Sequence, residues 1–114
     1  MIKFFFTPIF FIAISLSSAK ANLAYITNEK DNTVSVIDIK KKKVINTVKV
    51  GQRPRGIIMS KDGKLVLICA SDDDRVEVRD AKTMKLKYHL PSGPDPELFI
   101  LSPDDDTLSL IHIS

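Results

Sequence analysis

An all-β fold built from repeated units follows from three observations. The chain matches itself at an offset of 42 residues, each period holds four short runs rich in β-branched residues, and turn formers separate those runs at regular intervals. With 23–64 laid on 65–106 without gaps, thirteen of the 42 pairs are identical, among them Ile26/Ile68, Val34/Val76, Val36/Val78, Asp38/Asp80, Gly51/Gly93 and Pro54/Pro96. Random pairs of ordinary composition agree in about 6% of cases. A period of about 40–45 residues carrying four strands is the pattern of β-propeller blades. The expected fold is therefore all-β, a β-propeller fragment of four-stranded antiparallel blades with about two blades present. A closed propeller takes about 4 to 8 blades, so the chain reads as a piece of a longer protein.

In chain order, residues 1–21 read as an export signal. Lys3 supplies the positive start and Phe4 to Leu16 is almost wholly apolar. Ala19 and Ala21 form the small-residue cleavage pattern, so the mature chain is expected to begin at Asn22. The apolar stretch is too short to span a bilayer, which takes about 20 residues. The expectation is a periplasmic protein with no membrane contact once the leader is removed.

A partial propeller is expected over 22–107. Leu23–Thr27, Val34–Ile39 and Val44–Val50 read as three strands of an incomplete blade over 22–50. Arg55–Ser60, Leu65–Ala70, Val76–Ala81 and Leu86–Leu90 read as a complete blade over 54–90, and a third blade starts over 96–107. In Val34-Ser35-Val36 and Val76-Glu77-Val78, valine takes one face while the polar residue takes the other. The separators carry turn chemistry: Asn28 to Asn32, Lys40 to Lys43, Gly51 to Pro54, and Lys61-Asp62-Gly63-Lys64. Glycine after aspartate tolerates the positive φ that tight turns demand. Residues 108–114, Leu-Ser-Leu-Ile-His-Ile-Ser, resemble the translation of a transposase adapter used in sequencing libraries. They are read as an artefact, against the alternative of a true alternating strand, and His112 is set aside as a site residue.

The formal charge of +3 falls by two to +1 when Lys3 and Lys20 leave with the signal. That balance offers no steering for nucleic acid, and no aromatic residue interleaves with the lysine run. The run itself reads as a solvated turn, because four lysines are not buried unpaired. Cys69 is the only cysteine and lies in an apolar run, so no internal disulfide framework exists and a buried small hydrophobe is expected.

Four charged residues stand out as a candidate binding set at the channel mouth. Arg53 and Arg55 lie in the connection into an innermost strand, and Asp95 and Glu97 take the same two places one period later. One reading is a site for an anionic ligand or partner protein, with arginine as a planar two-pronged donor. The simpler reading is ion pairing between neighbouring blades. Asp72-Asp73-Asp74 and Asp104-Asp105-Asp106 lack the alternating ligands, turn glycine and distal acid of a calcium loop, and read as solvated turns. His89, in Lys87-Tyr88-His89-Leu90, reads as a surface strand position. No haem-attachment motif, zinc set, phosphate loop or catalytic triad is present, so no catalytic, cofactor-binding or metal residue is nominated.

Tyr25-Ile26-Thr27-Asn28 followed by Thr33-Val34-Ser35-Val36-Ile37-Asp38 resembles the YVTN-type β-propeller repeat. Ser60-Lys61-Asp62-Gly63-Lys64 and Ser102-Pro103-Asp104-Asp105-Asp106 look like that repeat's S-P-D-G-K turn, with Lys61 in place of proline and Asp105-Asp106 in place of Gly-Lys. The loop strings 27–33, 51–57, 69–74 and 91–99 are similar to the N-terminal part of the PQQ-dependent catabolism-associated β-propeller family. That resemblance implies a periplasmic binding or scaffold protein encoded beside quinoprotein dehydrogenases and c-type cytochromes. These two are its implied partners, and PQQ enters only by pathway association. The alternatives are a generic YVTN surface or protein-interaction propeller and, ranked last, an enzyme with an axial active site.

Overall fold

The computed structural model describes residues 22–104 and 107–111. The segment read as an export signal, with Ala19 and Ala21, Asp105-Asp106, and the terminal 112–114 with His112 lie outside them. Nine strands form three antiparallel sheets among the described residues. The first sheet has the order β1-β2-β3, with β1 at Leu23–Asn28, β2 at Thr33–Asp38 and β3 at Lys43–Lys49. The second has the order β4-β5-β6-β7, with β4 at Pro54–Met59, β5 at Leu65–Ala70, β6 at Arg75–Asp80 and β7 at Leu86–Pro91. β8 (Leu98–Leu101) and β9 (Leu108–Ile111) form a third, two-stranded sheet. The fold is all-β and is that of a propeller fragment. Alternation in Leu108-Ser109-Leu110 suffices to make β9 a strand whatever the origin of its codons.

The period-2 pattern decides how the sheets stack. Val34 and Val36 on β2 face Val66 and Ile68 on β5, and Met84 and Ala81 close that layer. On the other face of the second sheet, Leu67, Cys69, Val76 and Val78 meet Leu101, Leu108 and Leu110 of the third. Leu108 and Leu110 stand one period after Val66 and Ile68, so the same face of each blade meets the same face of the next. Ile68 and Cys69 point to opposite faces and both are fully buried. Burial of side chains such as these contributes about 1.5–3 kcal/mol each.

Turn geometry repeats with the sequence. The non-glycine residues with positive φ fall into three pairs separated by one period: Asn32/Asp74, Lys42/Met84 and Arg53/Asp95. Asp38 accepts from the Lys41 backbone N–H at the β2–β3 turn, and Asp80 accepts from Lys82 and Thr83 at the β6–β7 turn. The Ser60 hydroxyl donates to Asp62 and accepts from Leu65 N–H, and Ser102 does the same with Asp104 and Thr107. These backbone N–H bonds hold the Asp80 carboxyl below the usual carboxylate range, and the Ser60 hydroxyl followed by Lys64 N–H does so for Asp62.

Candidate functional site

Strand polarity brings the connections β1–β2, β3–β4, β5–β6 and β7–β8 to one end of the stacked sheets. Arg53 sits there with φ of 53°, and Asp95, one period on, has φ of 50°. A side-chain oxygen 21 residues earlier receives each backbone N–H: Asn32 Oδ1 accepts from Arg53 at 2.8 Å, and Asp74 Oδ1 accepts from Asp95 at 2.9 Å. These bonds hold a left-handed backbone that a β-substituted residue adopts only at a cost. The loops therefore project Arg53 and Asp95 in the same way from successive blades.

All four residues singled out from the sequence come together here. The Arg53 guanidinium donates through Nε to Asp72 at 2.8 Å and through Nη2 to Asp95 at 2.6 Å, with Glu29 at 3.6 Å. Arg55 Nη1 donates to Glu97, and Arg55 Nε lies 3.6 Å from Glu29. Arg53–Asp95 and Arg55–Glu97 each span 42 residues. Equivalent positions of neighbouring blades are thus joined, as the simpler reading of the sequence expected. The hydrogen bond to Asp72, followed by the fields of Asp72, Asp95 and Glu29, raises the Arg53 pKa further, so it stays a cation at any working pH.

Backbone contacts reinforce these pairs. Gly56 N–H donates to the Glu97 carbonyl at 2.8 Å, Thr27 Oγ1 donates to the Arg55 carbonyl at 2.9 Å, and the buried Ser71 hydroxyl donates to the Pro96 carbonyl. A Cβ on Gly56 would lie 2.5 Å from the Glu97 carbonyl oxygen, so only glycine permits this approach. An open cleft of about 350 Å³ remains beside the cluster, lined by Thr27, Glu29, Pro54, Arg55, Gly56 and Glu97.

The aspartate run 72–74 is only partly the solvated turn expected of it. Asp72 receives Arg53, Asp73 Oδ2 accepts from Gln52 N–H at 2.8 Å, and Asp74 caps Asp95. Their carboxylates stitch successive loops together. Among the described residues no three His, Cys, Asp or Glu side chains converge on a metal position. Cys69 is buried, and burial pushes its thiol up to about 11. His89 stands exposed on β7, 3.9 Å from Glu77.

Sequence reasoning did not nominate Glu29, which touches both arginines, nor the buried pair of Arg79 Nε with Glu77 Oε1 at 2.9 Å. Glu29 aligns with Ser71 and Glu77 with Ser35, so neither recurs as a charge one period away. The alternation on β6 does put Glu77 and Arg79 on one face, and that was the available signal.

Residues 4–97 match the cytochrome D1 heme domain family. No curated protein matches the chain significantly. Among solved structures, the chain is similar to hydrazine synthase of Kuenenia stuttgartiensis at 24% identity and a TM-score of 0.75, covering 80% of this chain and 26% of that one. It is also similar to the dihydro-heme d1 dehydrogenase NirN in complex with DHE, at 21% identity and a TM-score of 0.68, covering 78% of this chain and 19% of that one. The β-propeller domain of Cps50 (Swd1) from Myceliophteria thermophila aligns at 14% identity and a TM-score of 0.69, covering 83% of this chain and 30% of that one. At these identities the likeness shows the fold, and the chain spans less than a third of each structure's length. With the match running through both described blades as far as Glu97, the chain belongs to the cytochrome D1 heme domain family, as a fragment of its β-propeller.

Proposed function

We propose that this chain is part of an exported, periplasmic β-propeller that works by binding, as a scaffold in PQQ-dependent alcohol oxidation. Its partner in this reading is a quinoprotein dehydrogenase or a c-type cytochrome. The loop strings 27–33, 51–57, 69–74 and 91–99 support the pathway. The observation that carries the scaffold role is the pairing of Arg53 with Asp95 and Arg55 with Glu97 across one period. The charged side chains at the inner end hold neighbouring blades together, which builds a rigid surface around the cleft.

The family name raises a haem. A haem iron takes an axial histidine, cysteine, methionine or tyrosine, and its carboxylates call for free cations. Inner strand β4 offers only Met59 as such a donor. Arg53 and Arg55 are already held by carboxylates of adjacent blades. Strand β4 and these two arginines therefore do not fit a haem, and a haem held by the complete ring would draw its ligands from outside β4.

The test is calorimetry of the full-length protein against the dehydrogenase and the cytochrome encoded beside it, with an assay of alcohol turnover on added PQQ. Saturable binding to one of them without turnover is the expected result. Turnover would make the protein an enzyme, and binding to neither would leave a propeller with no quinone connection.

A further inference from the structure

We propose that the opposite end of the sheets is a lysine face that docks on an anionic lipid surface. The connections β2–β3, β4–β5 and β6–β7 all turn at this end, where the Tyr25 hydroxyl of the first blade donates to the Ala81 carbonyl of the second at 3.0 Å. The lysines at 40–43 come from the first blade, and Lys82, Lys85 and Lys87 from the second. Lys40/Lys82 and Lys43/Lys85 stand one period apart, so the repeat presents the same pair side by side. All of these lysines are exposed, and among the described residues none makes an ion pair within 4.0 Å. The acids at this end are engaged within their own turns: Asp38, Asp62 and Asp80 accept from backbone N–H groups, and Asp104 accepts from the Ser102 hydroxyl. The other end carries Glu29, Asp31, Asp72, Asp74 and Asp95. The net charge of +1 thus conceals a chain that is basic at one end and acidic at the other, and the expectation of no membrane contact considered only whether the apolar leader spans a bilayer.

Two features favour lipid over an acidic protein. Every exposed cation at this end is a lysine, while Arg53, Arg55 and Arg75 lie at the other. Lysine is depleted and arginine enriched in protein interfaces, whereas lysine clusters are attracted to anionic headgroups. The lysines also flank exposed apolar side chains: Ile39 (54%) and Val44 (55%) bracket the run, and Leu86 (43%) lies between Lys85 and Lys87. A headgroup layer accepts apolar side chains and ammonium groups together.

The test is cosedimentation of the full-length mature protein with vesicles of phosphatidylglycerol and phosphatidylcholine in equal parts, against pure phosphatidylcholine. The expected result is binding to the anionic vesicles only, weakened by added salt. Each lysine contributes about fivefold in partitioning, so Lys41→Glu with Lys82→Glu lowers binding by more than about tenfold. Lys49→Glu, exposed at the acidic end, leaves it unchanged. Equal binding to both vesicles, binding to neither, or an equal loss with Lys49→Glu would overturn the proposal. So would capture by an acidic protein without capture by vesicles. Circular dichroism melts verify that the variants fold, and the lipid preference and salt response of the unaltered protein decide the matter without them.

Discussion

Cys69 shows how a single position follows from its neighbours. It lies in the run Leu65 to Ala70, its side chain meets Val76 and Leu67 between two blades, and burial raises its thiol from 9.0 to about 11. The unfolded chain loses that proton at lower pH than the folded one, so the contribution to stability is intact below about 9 and lost as pH rises to about 11. Thermal melts of the full-length protein and of Cys69→Ala, compared at rising pH, test this. Unaltered protein loses stability relative to the variant across that window, and parallel curves would contradict the burial. Cys69 was legible in the sequence because an apolar run surrounds it. Glu29 was not, because its partners Arg53 and Arg55 lie in another blade and nothing local marks the contact.

At the scale of elements, the strands were legible and their contacts less so. Alternation and turn residues placed β1 to β7 to within about a residue, since period 2 and positive-φ turns are local properties, while β9 falls on residues read as an artefact. The close passage of β4 against the start of β8 was not legible, since nothing near Gly56 shows that a carbonyl 41 residues later will lie against it. Gly56→Ala places a methyl 2.5 Å from the Glu97 carbonyl oxygen and breaks the fit of two blades. The expected cost is about 1–3 kcal/mol, read as a lowered melting temperature of the full-length protein. A change within error would mean that β4 and β8 are not held this closely.

For the molecule as a whole, the 42-residue repeat predicts how the blades join. Turns, caps and left-handed positions recur one period apart, and so do the paired residues Arg53/Asp95 and Arg55/Glu97. Their substitution from basic to acidic was visible in the sequence, but two outcomes were open: a charged mouth that receives a ligand, or charges that neutralise one another. The backbone decided between them, because Asn32 and Asp74 cap equivalent loops and aim Arg53 at Asp95. The excess of lysines at one end and of carboxylates at the other was invisible to composition, since it depends on which turns share an end. In the proposed function this charge cluster clamps the blades while binding takes place on the surface they form. Arg53→Ala with Arg55→Ala in the full-length protein tests it most directly, by thermal melting and partner calorimetry on the same sample. The expected result is a lowered melting temperature with partner affinity unchanged. An unchanged melting temperature with partner binding abolished would contradict it and make the arginines the binding site.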